Sequence, residues 1–326
     1  MNEKIRTIAD CCLAGDRIGR EQIDILLAEA RRDFFDLLYW ANKIREKFFG
    51  NKIKICSIVP GRLGGCDQDC KFCAQSARYE TGYRQAQVLS DEQILKAAEQ
   101  AESNGVANFA IVYSGRMVGE RELSRLQGLI KQIKQRFGLK VCASLGVITS
   151  RQARQLVDSG LTRYNHNLET SEKHFGNIVT THKYADRVRT IQTAKDAGLQ
   201  VCAGGIFGIG ETDDDRVQMA LELRRLGVET VPMNFLHPIP GTPLGDAKTL
   251  QPREILSIIA IYRFILPQTN LKIAGGRVLN LRDPQSWMFY AGANGILSGN
   301  YLTTTGRAVK EDMQMLTDLG LQPDSD

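Results

Sequence analysis

From residue 52 onward the chain alternates short apolar strands with amphipathic helices, always strand first, and few folds accommodate that order. Candidate strands cover 52–59, 108–113, 139–145, 162–167, 199–207, 230–236, 271–274 and 294–297. Helix boundaries between the strands are marked. Ser90 with Gln93, and Thr149 with Gln152, have capping-box spacing. Thr212 precedes three aspartates suited to a helix N-terminus, Pro252 suits a first helical position, and Gly138, Gly160, Gly198 and Gly227 stand where helices end. Eight such units in 326 residues predict an α/β chain folded as a (β/α)8 TIM-type barrel, with a doubly wound open sheet as the alternative. Ahead of them, the apolar spacing of Ile23, Leu26, Leu27, Phe34, Phe35 and Leu38 predicts helical structure over about 20–49. Residues 1–50 are therefore expected to form an N-terminal helical extension, and 51–326 a single barrel with its C-terminal segment. No Pro/Gly/Ser-rich linker or internal repeat divides them.

The charge balance of 42 Lys and Arg against 37 Asp and Glu is modest, and the two signs are interspersed along helical faces, which argues against nucleic acid as a partner. The N-terminal ten residues lack the apolar core of a signal peptide. The longest apolar run, 255–267, is interrupted by Arg263 and is too short for a bilayer. A cytoplasmic location without membrane attachment is expected. In a reducing compartment, eight cysteines point to metal or redox chemistry rather than to disulfides.

Three of those cysteines, Cys66, Cys70 and Cys73, lie directly after the first strand. Thiolates this close together can hold three irons of a four-iron cluster and leave the fourth open to a small chelating molecule. A structural zinc site would need a fourth nearby ligand, yet His166, His174, His182 and His237 all lie far downstream and Cys56 lies beyond the glycines of 61–65. The spacing resembles that of the radical S-adenosylmethionine (SAM) superfamily. That resemblance implies a [4Fe-4S] cluster whose open iron grips the amino and carboxylate groups of SAM, and reductive cleavage of SAM to a 5′-deoxyadenosyl radical.

Further segments resemble the biotin synthase family within that superfamily, and the resemblance runs from about residue 52 to the C-terminus. They are Cys66 to Ser76 with Arg78-Tyr79, 164–171, Gly176-Asn177-Ile178 with Thr180-Thr181, 201–206, 208–212, Gly241-Thr242-Pro243-Leu244, 274–277 and 291–294. Taken singly, 204–210 reads as an ordinary strand-to-helix turn and His166 as a locally satisfied strand-end histidine. Together, in this order behind the cysteine triplet, they imply conversion of dethiobiotin to biotin, with an electron donor such as flavodoxin or ferredoxin and a homodimeric assembly. The resemblance places Asn167 and Glu169 on the SAM ribose, Arg187 on its carboxylate, Phe72 and Ile206 beside the adenine, and Asn165 and Asn234 on the ureido ring of the substrate. The family more often has Asp where this chain has Glu169.

Biotin synthases of the better-known kind hold a second, sulfur-supplying cluster through cysteines on strands two, three and five and an arginine on strand seven. Cys142, Cys202 and Arg277 match three of these positions, while Ala110 stands where the strand-two cysteine is expected. Cys56 on strand one offers a replacement. Barrel interiors fill in layers drawn from alternate strands, so Cys56, Cys142, Cys202 and Arg277 are expected to form one layer around an auxiliary Fe–S cluster. Both a [2Fe-2S] cluster and a larger cluster with extra sulfide remain open, as does the role of Cys56 as a small buried hydrophobe. Cys11 and Cys12 are read as surface or packing thiols. Two other readings of the chain stand beside sulfur insertion. One is a radical SAM paralogue acting on another small molecule, and the other a non-enzymatic Fe–S carrier or scaffold.

Overall fold

The computed structural model describes residues 1–324. Eight parallel strands form its centre: β1 Lys52–Leu63, β2 Asn108–Tyr113, β3 Lys140–Ser144, β4 Arg163–Asn165, β5 Gln200–Cys202, β6 Thr230–Phe235, β7 Asn270–Ile273 and β8 Gly295–Leu297. Each pairs with its sequence neighbour, and β8 returns to β1 through Lys54↔Gly295 to Cys56↔Leu297, so the sheet closes on itself. The open-sheet alternative is thereby excluded, and the fold is the (β/α)8 barrel.

The helices, in chain order, are α1 Glu3–Ala14, α2 Arg20–Ala30, α3 Phe34–Phe49, α4 Asp91–Ser103, α5 Glu120–Arg136, α6 Ser150–Asp158, α7 Glu172–Ile178, α8 Tyr184–Asp196, α9 Asp213–Leu226, α10 Pro252–Ile265, α11 Arg277–Leu281, α12 Trp287–Tyr290 and α13 Val309–Asp318. The expected caps are made. Ser90 Oγ accepts from Gln93 N at 3.2 Å while Gln93 Oε1 accepts from Ser90 N at 2.8 Å, and Thr149 and Gln152 do the same at 3.3 and 2.9 Å.

Three details depart from the sequence reading. The fifth strand is broken, because Gly204 passes so close to β6 that a Cβ there would lie 2.0 Å from Pro232 O; pairing with β6 resumes over Gly205–Phe207. β1 runs on to Leu63 through an irregularity at Pro60/Arg62 and gains an antiparallel partner, Gln87–Val88. At its other end a C-terminal strand, Gln322–Asp324, adds in parallel.

The helical span expected over about 20–49 forms as α2 and α3, with α1 ahead of them. α3 packs along α10 because the link from β7 to β8 carries only the short α11 and α12 and leaves that flank of the barrel thinly covered. The join is fixed at both ends by cation–π contacts. Arg253 sits 4.5 Å from the Phe34 ring and Arg263 4.7 Å from Phe49. Arg263 is fully buried, and its donors meet the carbonyls of Gly292, Leu266, Pro267 and Thr269 and the side chain of Asn294 at 2.8–3.0 Å. Cys12 is buried, with Sγ 3.4 Å from Phe264 O. Among the described residues no helix is long and apolar enough to cross a membrane.

Candidate functional site

Strand geometry in a barrel of this kind brings loops and strand ends together at the C-terminal face, and the three motif cysteines stand there. Past the end of β1, Gly64 and Gly65 take φ of +76° and +63°, and a Cβ on Gly64 would lie 2.6 Å from Tyr83 O, so only glycine turns the chain here. The turn aims Cys66, Cys70 and Cys73 into a cavity of about 250 Å³. That cavity is shared with Phe72, Asn165, His166, Asn167, Glu169 and Arg187.

The loop is pinned by Asp69. Its carboxylate accepts from Thr180 N at 2.9 Å, Thr181 N at 3.1 Å and Thr181 Oγ1 at 2.9 Å, and also from Thr180 Oγ1. Burial favours the neutral acid, but these bonds outweigh it and hold the Asp69 pKa far below the usual aspartate range. Tyr79 adds a bond to Asp69 O at 2.6 Å, and His182 Nδ1 lies 2.8 Å from Gln68 Oε1. Burial pushes the Cys73 thiol up to about 11 and Cys70 higher still. A metal must therefore displace protons from these thiols to bind. Among the described residues no three His, Cys, Asp or Glu side chains converge on one ion-sized point. A cluster asks for a different arrangement, since each cysteine takes a different iron, and the set of three thiols facing one cavity fits it.

Beside the loop, the chain after β4 holds the polar groups. Asn167 Oδ1 accepts from Gly204 N at 3.2 Å, across the break in the fifth strand, and its Nδ2 meets Glu169 at 3.3 Å. Glu169 adopts φ +71°, and Gly205 packs so tightly behind it that a Cβ there would lie 2.4 Å from Glu169 O. Arg187 Nη1 donates to Asn167 O at 2.9 Å and lies 3.4 Å from Glu169 Oε1, while its buried Nε has no partner. Burial raises the Glu169 pKa against the opposing pull of Arg187. His166 is also buried with Nε2 unpartnered, and burial together with Arg187 drives its pKa well below the ordinary histidine value. These unmatched polar atoms fit a polar ligand such as the ribose and amino-acid parts of SAM.

Phe72 and Ile206 line a second cavity, of about 260 Å³, with Asn234 at its inner side. Asn234 is fixed at both ends of its amide, donating to Gly205 O at 3.1 Å and accepting from Gly275 N at 2.9 Å. Below, a third cavity of about 130 Å³ is lined by Cys56, Cys142 and Cys202 together with Ala110, Asn165, Asn234 and Lys272. The three cavities share lining residues and form one funnel from the cluster loop into the barrel. A larger hollow of about 490 Å³ lies outside the barrel between α2, α9 and α10, away from all the motif residues.

The inner layer corrects one assignment. Cys56, Cys142 and Cys202 come together, but Arg277 does not join them. β7 ends at Ile273, and Gly276, at φ +76° with a virtual Cβ 1.8 Å from Phe235 O, turns the chain so that Arg277 opens α11. There its fully buried guanidinium donates to Tyr301 Oη at 2.9 Å and to Gln285, and pairs with Asp312. The strand-seven cation facing the thiols is Lys272, with Nζ 3.6 Å from Cys56 Sγ and 3.4 Å from Cys202 Sγ. The signal for it was a lysine between Leu271 and Ile273 in a buried strand, where period-two alternation points it to the face opposite its apolar neighbours. Ala110 pairs in register with Cys142 and lines the same cavity without a sulfur. Burial pushes Cys142 up to about 12. Three buried thiols beside a buried cation fit an anionic iron–sulfur group.

Known proteins place this geometry. Residues 62–223 match the model of the Radical SAM superfamily, and 232–322 that of the Biotin and Thiamin Synthesis associated domain. The biotin synthase of Geotalea uraniireducens (strain Rf4) is 46% identical over 322 residues, covering 98% of each chain. That of Carboxydothermus hydrogenoformans (strain ATCC BAA-161 / DSM 6008 / Z-2901) is 43% identical over 325 residues, 99% of this chain and 100% of the relative. Among solved structures, methylornithine synthase superposes with a TM-score of 0.83 at 20% identity over 97% of both chains. The hydrogenase maturase HydG gives 0.85 at 17% over 99% of this chain and 76% of its own; at these identities the likeness speaks for the fold alone. With near-complete coverage at this level of identity, the chain belongs to the biotin synthase family of the radical SAM superfamily.

Proposed function

We propose that this chain is a radical SAM enzyme that converts dethiobiotin to biotin, with the inserted sulfur drawn from an auxiliary cluster inside the barrel. The observation that carries the reading is the funnel with two separate cysteine sets, Cys66, Cys70 and Cys73 at the mouth and Cys56, Cys142 and Cys202 at the floor, with Asn165 and Asn234 between them. When bound, the outer cluster with SAM supplies a carbon-centred radical able to take hydrogen from an unactivated carbon, and the inner cluster supplies sulfide.

The chain's own share is binding, orientation and exclusion of water. Cys66, Cys70 and Cys73 hold the outer [4Fe-4S] cluster, with Asp69 keeping their loop closed. Asn167 and Glu169 take the ribose and Arg187 the carboxylate of SAM. Arg187 is shared with Glu169, which balances its charge before the ligand arrives, and the free Nε gives the carboxylate a donor. Phe72 and Ile206 flank the adenine. The fixed amide of Asn234, sharing a cavity with Asn165, would offer the ureido ring a rigid polar face between the two cysteine sets.

Cys56, Cys142 and Cys202 hold the inner cluster, Cys56 replacing the ligand lost at Ala110. Residues 51–326 act as the catalytic unit and 1–50 as the extension that completes its coat. Flavodoxin or ferredoxin supplies the electron at the partly exposed Cys66 loop, in the cytoplasm. The exposed aromatic run of Phe35, Trp287 and Tyr290, with rings 6.1 and 6.2 Å apart, supports a homodimer joined through α3 and α12.

Anaerobic reconstitution with iron and sulfide, followed by SAM, reductant and dethiobiotin, tests the reading. Biotin formation is expected. 5′-Deoxyadenosine without biotin would instead favour a paralogue lacking sulfur insertion, for which Ala110 is the motive, and neither product would favour a cluster carrier.

A further inference from the structure

Two buried cations stand beside the inner cysteines, one in contact with them and one behind, and neither has a carboxylate within ion-pair distance. Lys272 stands directly against Cys56 and Cys202. Arg163, on β4, is only 4% exposed and pairs in register with Cys142. Its Nη1 donates to Asn108 Oδ1 at 3.2 Å and its Nη2 to Gln200 Oε1 at 2.9 Å, both neutral acceptors, and its Nε is buried without a partner. Asn108, which Arg163 holds, lines the cysteine cavity. Glu229 acts on Arg163 only from beyond ion-pair distance and is itself engaged by Val201 N at 2.7 Å and Lys195 at 3.5 Å. Uncompensated charges are costly inside a protein, so a barrel that keeps two of them here has an anionic occupant to balance them. A charged Lys or Arg has donors and no lone pair to offer. Neither ligates iron in that state, and both favour sulfide and thiolate.

We propose that Lys272 and Arg163 are positioning residues of the inner site: Lys272 donates hydrogen bonds to cluster sulfur from the side of Cys56 and Cys202, and Arg163, from behind Asn108, adds the positive charge that holds the cluster's sulfide and raises its reduction potential. The assignment rests on the inner-cluster reading above. It gives strand seven a hydrogen-bond donor where a metal ligand was expected, and it adds a strand-four residue that no sequence motif includes. Net charge and hydrogen bonds to sulfur are the levers by which a protein sets such a potential.

The test uses the full chain with Cys66, Cys70 and Cys73 all changed to alanine, so that only inner iron is counted, and compares Lys272→Met, Arg163→Met, Lys272→Arg and Arg163→Lys. Iron and acid-labile sulfide per chain are measured after anaerobic reconstitution, and the midpoint potential by a redox titration followed spectroscopically. The methionine variants are expected to retain iron and sulfide about 10-fold less well on dilution into chelator, as outer-sphere changes commonly do, and to move the potential to more negative values. The charge-conserving variants are expected to stay near the parent. Formation of 5′-deoxyadenosine by the same Arg163 and Lys272 variants with the outer cysteines intact reports that the barrel is folded. If both methionine variants keep the parent's retention and potential, the assignment is overturned. If the parent with the outer cysteines removed binds no sulfide at all, the inner-cluster reading itself falls.

Discussion

Replacing Asp69 by alanine removes the clamp on the cluster loop without touching a cysteine. The carboxylate ties residues 66–73 to the segment after α7 through four hydrogen bonds from Thr180 and Thr181. Bonds to a charged acceptor contribute roughly 1.5–3 kcal/mol each when dry. Asp69 is partly open to water, and screening cuts the total to about 2 kcal/mol. At 1.4 kcal/mol per decade this is about a 30-fold shift between closed and open loop. In anaerobically reconstituted protein challenged with an iron chelator, Asp69→Ala is therefore expected to release outer-cluster iron about 30-fold faster, while the thermal unfolding midpoint changes little. The Asp69 pKa is depressed in the folded chain, so its stabilisation is complete above the ordinary aspartate value of about 3.9 and is lost only as pH falls from there through the folded value. Asp69 thus gives no pH dependence to iron retention between roughly pH 8 and 6. An iron release rate equal to that of the unaltered protein would refute the clamp.

Gly205→Ala pushes a methyl toward Glu169 O and Met219 Sδ, each 2.4 Å from the new carbon; overpacking of about 1–3 kcal/mol should weaken SAM binding by roughly 10-fold, read as the SAM dependence of 5′-deoxyadenosine formation. Asp312→Ala strands the fully buried Arg277, and chemical denaturation should show a loss of about 3–5 kcal/mol, with the inner sulfide content of the folded fraction unchanged because Arg277 lies outside the cysteine layer. Arg263→Met leaves the carbonyls of Gly292, Leu266, Pro267 and Thr269 short of donors, and about 3 kcal/mol or more should be lost in the same assay. Trp287→Glu places a charge in the exposed aromatic run and should shift the protein to monomer in sedimentation without altering iron content.

The barrel was legible because most of the strands are short apolar-rich runs bounded by marked helix ends, and because strand-first alternation repeated eight times admits little else. The break at Gly204 was not, since it depends on the approach of Pro232 from the next strand, a contact that local pattern does not carry. The cluster loop was legible from spacing, but its fastening was not: Asp69 and Thr181 are 112 residues apart, and neither position is unusual alone. The inner layer shows where pattern reasoning stopped short. Strands one, three and five bring their cysteines to one cavity, whereas the strand-seven residue that faces them is Lys272 rather than Arg277, five residues further on. Alternation along 271–274 already put Lys272 and Ala274 on one face, and two glycines before Arg277 already marked the strand's end. Arg163 was hidden because a single arginine at the start of a short strand reads as a surface residue until the register with Cys142 is known.

The separation of two cysteine sets along one funnel is the central claim, and Cys56→Ala tests it most directly. With dethiobiotin, SAM and reductant under anaerobic conditions, the variant is expected to form 5′-deoxyadenosine at the outer site but no biotin, with inner sulfide lost. Undiminished biotin formation by the variant, with iron and sulfide contents equal to those of the unaltered chain, would contradict it.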